Sequence, residues 1–483
     1  MSVRERFAGP NGDIPRPDPV DLPPSLDHEM PIRIAVLAEG AITPMGNSAE
    51  ETWEAYKAMR GGIVEHLYKP YTEGGNEKGV DAQIRAITAG TIKDFDPFER
   101  VEKKGILPRK EVRFKLGTYT QYSLASSHEA LSKVRTGEGV SLLVPRLNKD
   151  GSVNKERQWR VNPELIHPLH FAVAVGCGFG GGDVSAEVME LLKAGQIPAG
   201  DHMMKSLLDR AASTVTQAYD VNGGAEGYVA ACASSGAAEI GLVNKIAMGR
   251  VLAGLAIGTE GILGTPIASA MFDAFGALDR GQDPLKVSRS LHKERRGFTI
   301  AEGAIAFVLA NYDWAKQNKI PILYEIIGYG DTSGAGHNTD PNGVAQEQAM
   351  RFARRMAEKQ GPIRGKIINS GHYTGTPAGD GSEMLHTQNV LEEEKERTII
   401  FASKGSAGHT LGAAGNMSQF TAGKALQEGV VPGMRFDGEV MDEAYGWDIP
   451  RETREEPELT DALVNQFGFG DKNVSIWLRK NAS

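Results

Sequence analysis

The chain's 483 residues are 40% hydrophobic and 24% charged, with a formal net charge of −9 at pH 7. That length accommodates two half-domains with large cores, and the acidic balance excludes a general affinity for nucleic acid. Two cysteines are too few for a disulfide framework or a structural zinc site, and no apolar run reaches the ~18 residues of a membrane span.

Residues 1–31 hold Pro10, Pro15, Pro17, Pro19, Pro23 and Pro24 among few apolar residues and read as an extended arm. They lack the apolar core of a secretion signal, so a reducing, cytoplasmic setting is expected. A strand is predicted at 32–37, a loop at 40–46, and a helix capped by Ser48 that runs through Tyr56. Residues 62–82 are polar and glycine-containing, an elaboration that includes Tyr68 and Tyr71. Positive charge then gathers at Lys103, Lys104, Arg109, Lys110, Arg113 and Lys115, ahead of a helix predicted over 118–131. Residues 138–166 form a second elaboration, with a hairpin-type turn at Asn148 to Ser152. A buried strand at 171–175 ends in the glycine turn Gly176 to Gly182, which contains Cys177. Further strands are expected at 251–257, 304–309, 322–327, 366–368, 398–401 and 473–478. Helices lie between most of them, which predicts an α/β layered fold. The letters reveal no internal repeat.

Four segments hold candidate chemistry. Cys232 sits in Ala231-Cys232-Ala233-Ser234-Ser235-Gly236-Ala237, just ahead of a helix predicted over 233–249. A thiol at a helix N-terminus gains thiolate character, and small neighbours leave room for a thioester. The same letters also suit a buried, inert cysteine. His372 follows a strand, in Asn369-Ser370-Gly371-His372-Tyr373-Thr374-Gly375-Thr376, where α/β folds place ligands; a histidine that merely bonds a turn fits as well. Lys404 and His409 stand alone among small residues from Ser403 to Gly415. A tight helix-packing seam is the alternative reading there. Finally, Phe467-Gly468-Phe469-Gly470 opens a glycine turn whose free N–H groups suit either an oxyanion or a plain hairpin.

Together these segments resemble the elongating β-ketoacyl-acyl carrier protein synthases, condensing enzymes of the thiolase superfamily. The resemblance runs from Ile32 to Leu478. It includes Gly40 to Asn47, Gly258-Thr259-Glu260, Arg296-Gly297-Phe298 and Ala301-Glu302-Gly303-Ala304, all in the family's order.

The resemblance implies a five-layered αβαβα thiolase-like fold of two similar halves: residues 32–320, with the 138–166 insertion, and 321–483. It implies a homodimer that condenses an acyl thioester on Cys232 with malonyl-acyl carrier protein in fatty acid biosynthesis. His372 and His409 would stabilise the enolate, with Lys404 supporting them. The N–H groups of Cys232 and Phe469 would form the oxyanion hole, and Phe469 would also gate the acyl pocket. Thr374 and Thr376 would bind the pantetheine arm. Lys110, Arg113, Lys115 and Arg280 would dock the acidic carrier protein, although such charges also suit a solvated face. No metal or cofactor is implied, because the carrier brings its own phosphopantetheine. A polyketide-type ketosynthase and a non-catalytic chain-length partner subunit stay open as alternatives; the latter usually lacks the nucleophile. A thiolase proper would have a second cysteine in the terminal turn, and none is there.

Five positions depart from the family pattern. Tyr373 stands where glycine is usual, and a phenol there would narrow the pocket or reorient the loop. Ser418 replaces a glutamate that pairs with the lysine. Asp471-Lys472 replaces Gly-Thr, which is expected to stiffen the gate. Cys177 stands in the glycine loop and is read as structural.

Overall fold

The computed structural model describes residues 33–67, 86–265, 267–335, 341–435 and 437–481. The proline-rich arm and residues 68–82 of the first elaboration lie outside the described residues. Ten strands form one sheet. In chain order they are β1 (Ile34–Ile42), β2 (Phe171–Gly176), β3 (Ala225–Tyr228), β4 (Ala253–Glu260), β5 (Gly303–Asn311), β6 (Tyr324–Ser333), β7 (Lys366–Ser370), β8 (Thr398–Phe401), β9 (Leu459–Gly468) and β10 (Lys472–Lys480).

From the middle outward, one half runs β1-β5-β4-β2-β3 and the other β6-β10-β9-β7-β8. Each half begins with two antiparallel pairings and continues with two parallel ones. The halves join where Ile34, Ala35 and Val36 of β1 pair antiparallel with Ile326, Glu325 and Tyr324 of β6. The repeat absent from the letters is therefore present in the topology.

The helices that complete the layers include α1 (Thr118–Lys133), α2 (Ser234–Ala247), α3 (Gly343–Lys359), α4 (Pro377–Leu391) and α5 (Ala414–Glu428). Helix α1 covers the outer face of the first half, and α3, with α4 against it, covers the second. Helices α2 and α5 touch each other between the two half-sheets, and each also contacts strands of the opposite half. Their sequences match their layers. In α3 the buried residues Gln346, Ala349, Met350, Ala353, Met356 and Ala357 recur every three to four positions, the mark of a helix with one dry face. Helix α5 is buried from Ala414 through Gly423 without a break, as a middle layer must be. No helix among the described residues is long and apolar enough to cross a membrane.

Two strands of the ten-stranded sheet are absent from the sequence-based expectations. Strand β3 is short and only partly buried, so it carries no apolar run. Strand β9 is almost wholly buried yet contains Asp461, Asn465 and Gln466, whose side-chain oxygens each accept from a partner that only the fold supplies. Strand β1 also extends through Gly40, Ala41 and Ile42, predicted as loop, because they pair with Ala306, Ile305 and Ala304. In the 138–166 insertion, Asn148 N donates to Ser152 O at 2.7 Å, and Leu143–Pro145 pairs with Trp159–Val161.

Candidate active site

Cys232 lies in the short elbow between β3 and α2. Ala231 adopts φ +49°, a left-handed conformation that costs a non-glycine residue ~1–2 kcal/mol. Ser234 holds the elbow in shape: its hydroxyl accepts from Ala230 N at 2.9 Å and donates to Ala231 O at 2.6 Å. The gate turn presses against this elbow so closely that a Cβ on Gly468 would lie 2.7 Å from Ala230 O and 3.0 Å from Cys232 N. The second half supplies the imidazoles. His372 follows β7, and His409 lies between β8 and α5.

These distant stretches converge. His409 Nε2 lies 3.1 Å from Cys232 Sγ, and the two imidazole rings stand edge to face with centroids 5.3 Å apart. The sulfur and a nitrogen of each ring all lie within 4.8 Å of one another. A cavity of about 350 Å³ opens from them, lined also by Phe275, Phe298, Thr374, Thr376 and Phe469. The reading of Cys232 as an isolated packing residue thus gives way to a thiol facing two imidazoles across a cavity.

Electrostatics here are dominated by burial. It pushes the Cys232 thiol up to about 12, against the pull of Lys404 and of the N–H groups of Phe469 and Cys232 itself. The helix position foreseen to favour a thiolate is outweighed, so the resting group is a thiol. Burial, followed by Lys404, also holds His372 and His409 well below the usual imidazole range. Both rings are neutral at pH 7 and each carries one N–H donor.

Lys404 is buried, and its ammonium has no hydrogen-bond partner among the described residues. Burial lowers its proton affinity; Glu383, Cys232 and Asp380 oppose that. Glu383, which the sequence reading passed over, accepts from His372 N and Tyr373 N, both at 2.7 Å, and from Asn465 Nδ2 at 3.1 Å. It fixes the histidine loop and gives Lys404 a carboxylate that Ser418 does not. Ser418 instead lies 3.4 Å from Ser403, hydroxyl to hydroxyl. The acid faces the lysine from α4, about two turns beyond Thr376, a spacing the sequence contained but nothing in it singled out.

Glu260 is a second residue whose work is visible only in space. Its carboxylate accepts from the backbone N–H groups of Gly178, Phe179, Gly180 and Gly412, tying the glycine turn after β2 to the segment after His409. Burial raises its proton affinity to about 7 despite these donors. Cys177 is buried beside it, its sulfur accepting from Gly180 N at 3.1 Å.

Tyr373 contributes to the cavity lining, and its phenol is engaged in the core. The ring is fully buried in the main core, and its hydroxyl donates to Asn369 Oδ1 at 3.1 Å. Thr374 and Thr376 share a hydroxyl contact of 3.0 Å at the cavity wall, and Thr376 caps α4 by accepting from Gly379 N. Asp471 ties the gate turn down, accepting from Asn342 N through its side chain and from Gly334 N through its carbonyl, both at 3.0 Å. The proposed docking charges are less uniform. Lys110 is exposed, Arg280 is exposed but paired with Asp273 at 2.8 Å, and the side chains of Arg113 and Lys115 lie outside the described residues.

Comparisons with known proteins agree with this geometry. Residues 156–315 match the family model described as beta-ketoacyl synthase, N-terminal domain, and residues 323–435 match its C-terminal counterpart. The chain is 29% identical to the 3-oxoacyl-[acyl-carrier-protein] synthase 2 of Vibrio harveyi, across 93% of this chain and 99% of that protein. It is 26% identical to a putative mitochondrial 3-oxoacyl-[acyl-carrier-protein] synthase of Schizosaccharomyces pombe, with coverage of 93% and 99%. Among solved structures, a beta-ketoacyl synthase from Burkholderia phymatum superposes with a TM-score of 0.74 at 24% identity, covering 93% of this chain and all of that one. The ishigamide ketosynthase/chain length factor gives 0.74 at 22% identity, covering 94% and 100%. At these identities the structural likeness bears on the fold, which is thiolase-like.

Proposed function

Given that this chain belongs to the β-ketoacyl synthase family, whose two domain models together match more than half of it, we propose that it is a chain-elongating condensing enzyme. It joins an acyl thioester to a malonyl thioester, both delivered on acyl carrier protein, as in fatty acid biosynthesis. The single observation that carries this reading is the Cys232–His409 contact of 3.1 Å, with His372 beside it and a cavity leading in.

In the first half-reaction Sγ of Cys232 attacks the acyl carbonyl. The carbonyl electrons move to an oxyanion held by the N–H groups of Cys232 and Phe469. The thiol proton ends on the departing pantetheine sulfur, and His409 Nε2 is the nearest group able to carry it. In the second, malonyl thioester loses carbon dioxide, and the electrons of the broken bond form an enolate. Neutral His372 and His409 donate hydrogen bonds to that enolate oxygen without placing a competing charge beside the carbanion. The carbanion then attacks the acyl carbon, the bond to sulfur breaks, and the Cys232 thiolate that leaves takes one proton from solvent. Lys404 adds positive potential, held in place by Glu383 and Asp380 nearby. Thr374 and Thr376 line the pantetheine route. An intact nucleophile with both imidazoles argues against a non-catalytic partner subunit.

We also infer a homodimer and a cytoplasmic setting. The first half exposes Met189, Leu192, Ile197 and Met203 and ends its sheet in the open edge strand β3, surfaces that a second copy would cover; both cysteines are free, as a reducing compartment keeps them. Incubation with acyl-carrier protein should add one acyl mass at Cys232, and malonyl-carrier protein should then release a 3-ketoacyl product. No adduct, or one that persists in Cys232→Ala, would overturn the assignment. Light scattering at a monomer mass would overturn the dimer.

A further inference from the structure

Beyond the acyl-transfer machinery, one large side chain at the cavity mouth has no role in the chemistry above. Phe275 follows the helix Ile267–Ala274 and is 65% exposed, although it lines the cavity. Its ring lies against Phe469, centroids 6.4 Å apart and planes tilted by 33°. Three residues earlier, in that helix, Phe272 lies 6.1 Å from Phe469, the planes tilted by 32°. Phe272 is buried in the small apolar cluster that also holds Cys232, Ile262, Leu263 and Phe298. The gate ring therefore neighbours two phenyls, one anchored inside and one facing solvent.

We propose that Phe275 is an outer latch on the gate: its ring holds Phe469 closed over Cys232, and the latch must part before an apolar acyl chain can pass. Phe275 is a positioning residue that acts through Phe469. The gate cannot simply be discarded, because the same residue presents an N–H towards the Cys232 sulfur. Phe272 and the packed Gly468 keep that backbone in place while the Phe469 side chain moves. Of the two contacts on the gate, the inner one is locked into a packed cluster, so the outer one is the contact that opening breaks. An aromatic pair of this kind shifts an open–closed equilibrium by about two- to tenfold.

The inference rests on the condensing reading only for the gate's purpose, and its test does not need that activity. Alkylation of Cys232 by iodoacetamide, followed by intact mass, reports how often the thiol is accessible. Phe275→Ala should alkylate about two- to tenfold faster than the parent protein, with Phe275→Tyr restoring the parent rate and Phe275→Leu remaining fast. In acyl transfer, Phe275→Ala should also lose discrimination between short and long acyl donors through KM, with kcat for short donors preserved. An unchanged alkylation rate in Phe275→Ala overturns the latch, as does a slower one. Unchanged alkylation with impaired transfer from the carrier alone would make Phe275 a landing site instead, again overturning it. Faster alkylation with no acyl transfer by the parent from any carrier substrate would leave the latch standing and sink the condensing reading.

Discussion

Lys404→Met is expected to make the protein more stable and less active. Lys404 is 1% exposed, and its ammonium has no hydrogen-bond partner among the described residues. Taking an ion out of water costs several kcal/mol, and neighbouring carboxylates that make no hydrogen bond to it return only part of that. Methionine has similar length, no charge and enough flexibility to fill the space. Exchanging a whole buried ion pair for apolar groups of like volume stabilises by about 1–4 kcal/mol, whereas removing one partner costs about 3–5 kcal/mol where the other charge is left uncompensated. The gain here should fall at the low end, about 1–2 kcal/mol, because Glu383 loses a compensating charge. That carboxyl is not stranded: His372 N, Tyr373 N and Asn465 Nδ2 still donate to it, and it can take up a proton.

The pH dependence has a definite sign. Burial sets the folded proton affinity of Lys404 below its unfolded value of 10.5, so its penalty is complete at lower pH and fades as pH rises towards that value. Burial sets Glu383 above its unfolded value of 4.5, and removal of Lys404 raises it further. The variant is thus least burdened when Glu383 is protonated, on the acid side. Both effects make its advantage over the parent larger at about pH 6 than at about pH 9. Thermal midpoints at the two pH values, with malonyl-thioester decarboxylation measured alongside, check this. A variant that melts below the parent by the same margin at both would mean that the ammonium gains more from its surroundings than burial takes away, and the reasoning would fail.

Gly415→Ala should lose ~2–4 kcal/mol and acylate slowly, because the new Cβ would lie 1.6 Å from Gln466 Oε1, which now accepts from Gly236 N at 2.7 Å. Denaturant titration reads the loss, and an unchanged midpoint would mean that Gln466 yields freely. Tyr373→Phe should cost ~1 kcal/mol through its bond to Asn369 while leaving the KM for acyl donors unaltered; a changed KM would put the phenol in the cavity. Thr376→Val removes the cap on α4 and one hydroxyl of the cavity wall, so ~1 kcal/mol of stability should go and KM for carrier substrates should rise with kcat kept. Unaltered KM would remove Thr376 from the pantetheine route.

Residues with unusual neighbours were the legible ones. Cys232, His372, Lys404 and His409 stood out because small residues surround them, and space is what a substrate needs. Strands such as 398–401 were readable because burial on both faces demands an unbroken apolar run. Glu260 and Glu383 were not readable as to role, since a carboxylate that bonds backbone N–H groups looks like any surface acid until the chain folds round it. Strand β9 was hidden for the same reason: the partners of Asp461, Asn465 and Gln466 come from far along the chain. The duplicated topology left no trace in the letters because strand order depends on where buried faces fall, and many sequences place them alike. Only the geometry shows that Lys404 obtains its acid from α4.

A strand plan drawn twice within one chain supplies two equivalent elbows. In both copies the third strand feeds an elbow that precedes the middle helix. One elbow now bears sulfur, and its twin bears an amine and an imidazole. Two identical copies of one half would have to carry the same residue at both places, thiol against thiol or base against base. With both halves in one chain, each elbow can be adjusted by mutation without altering the other.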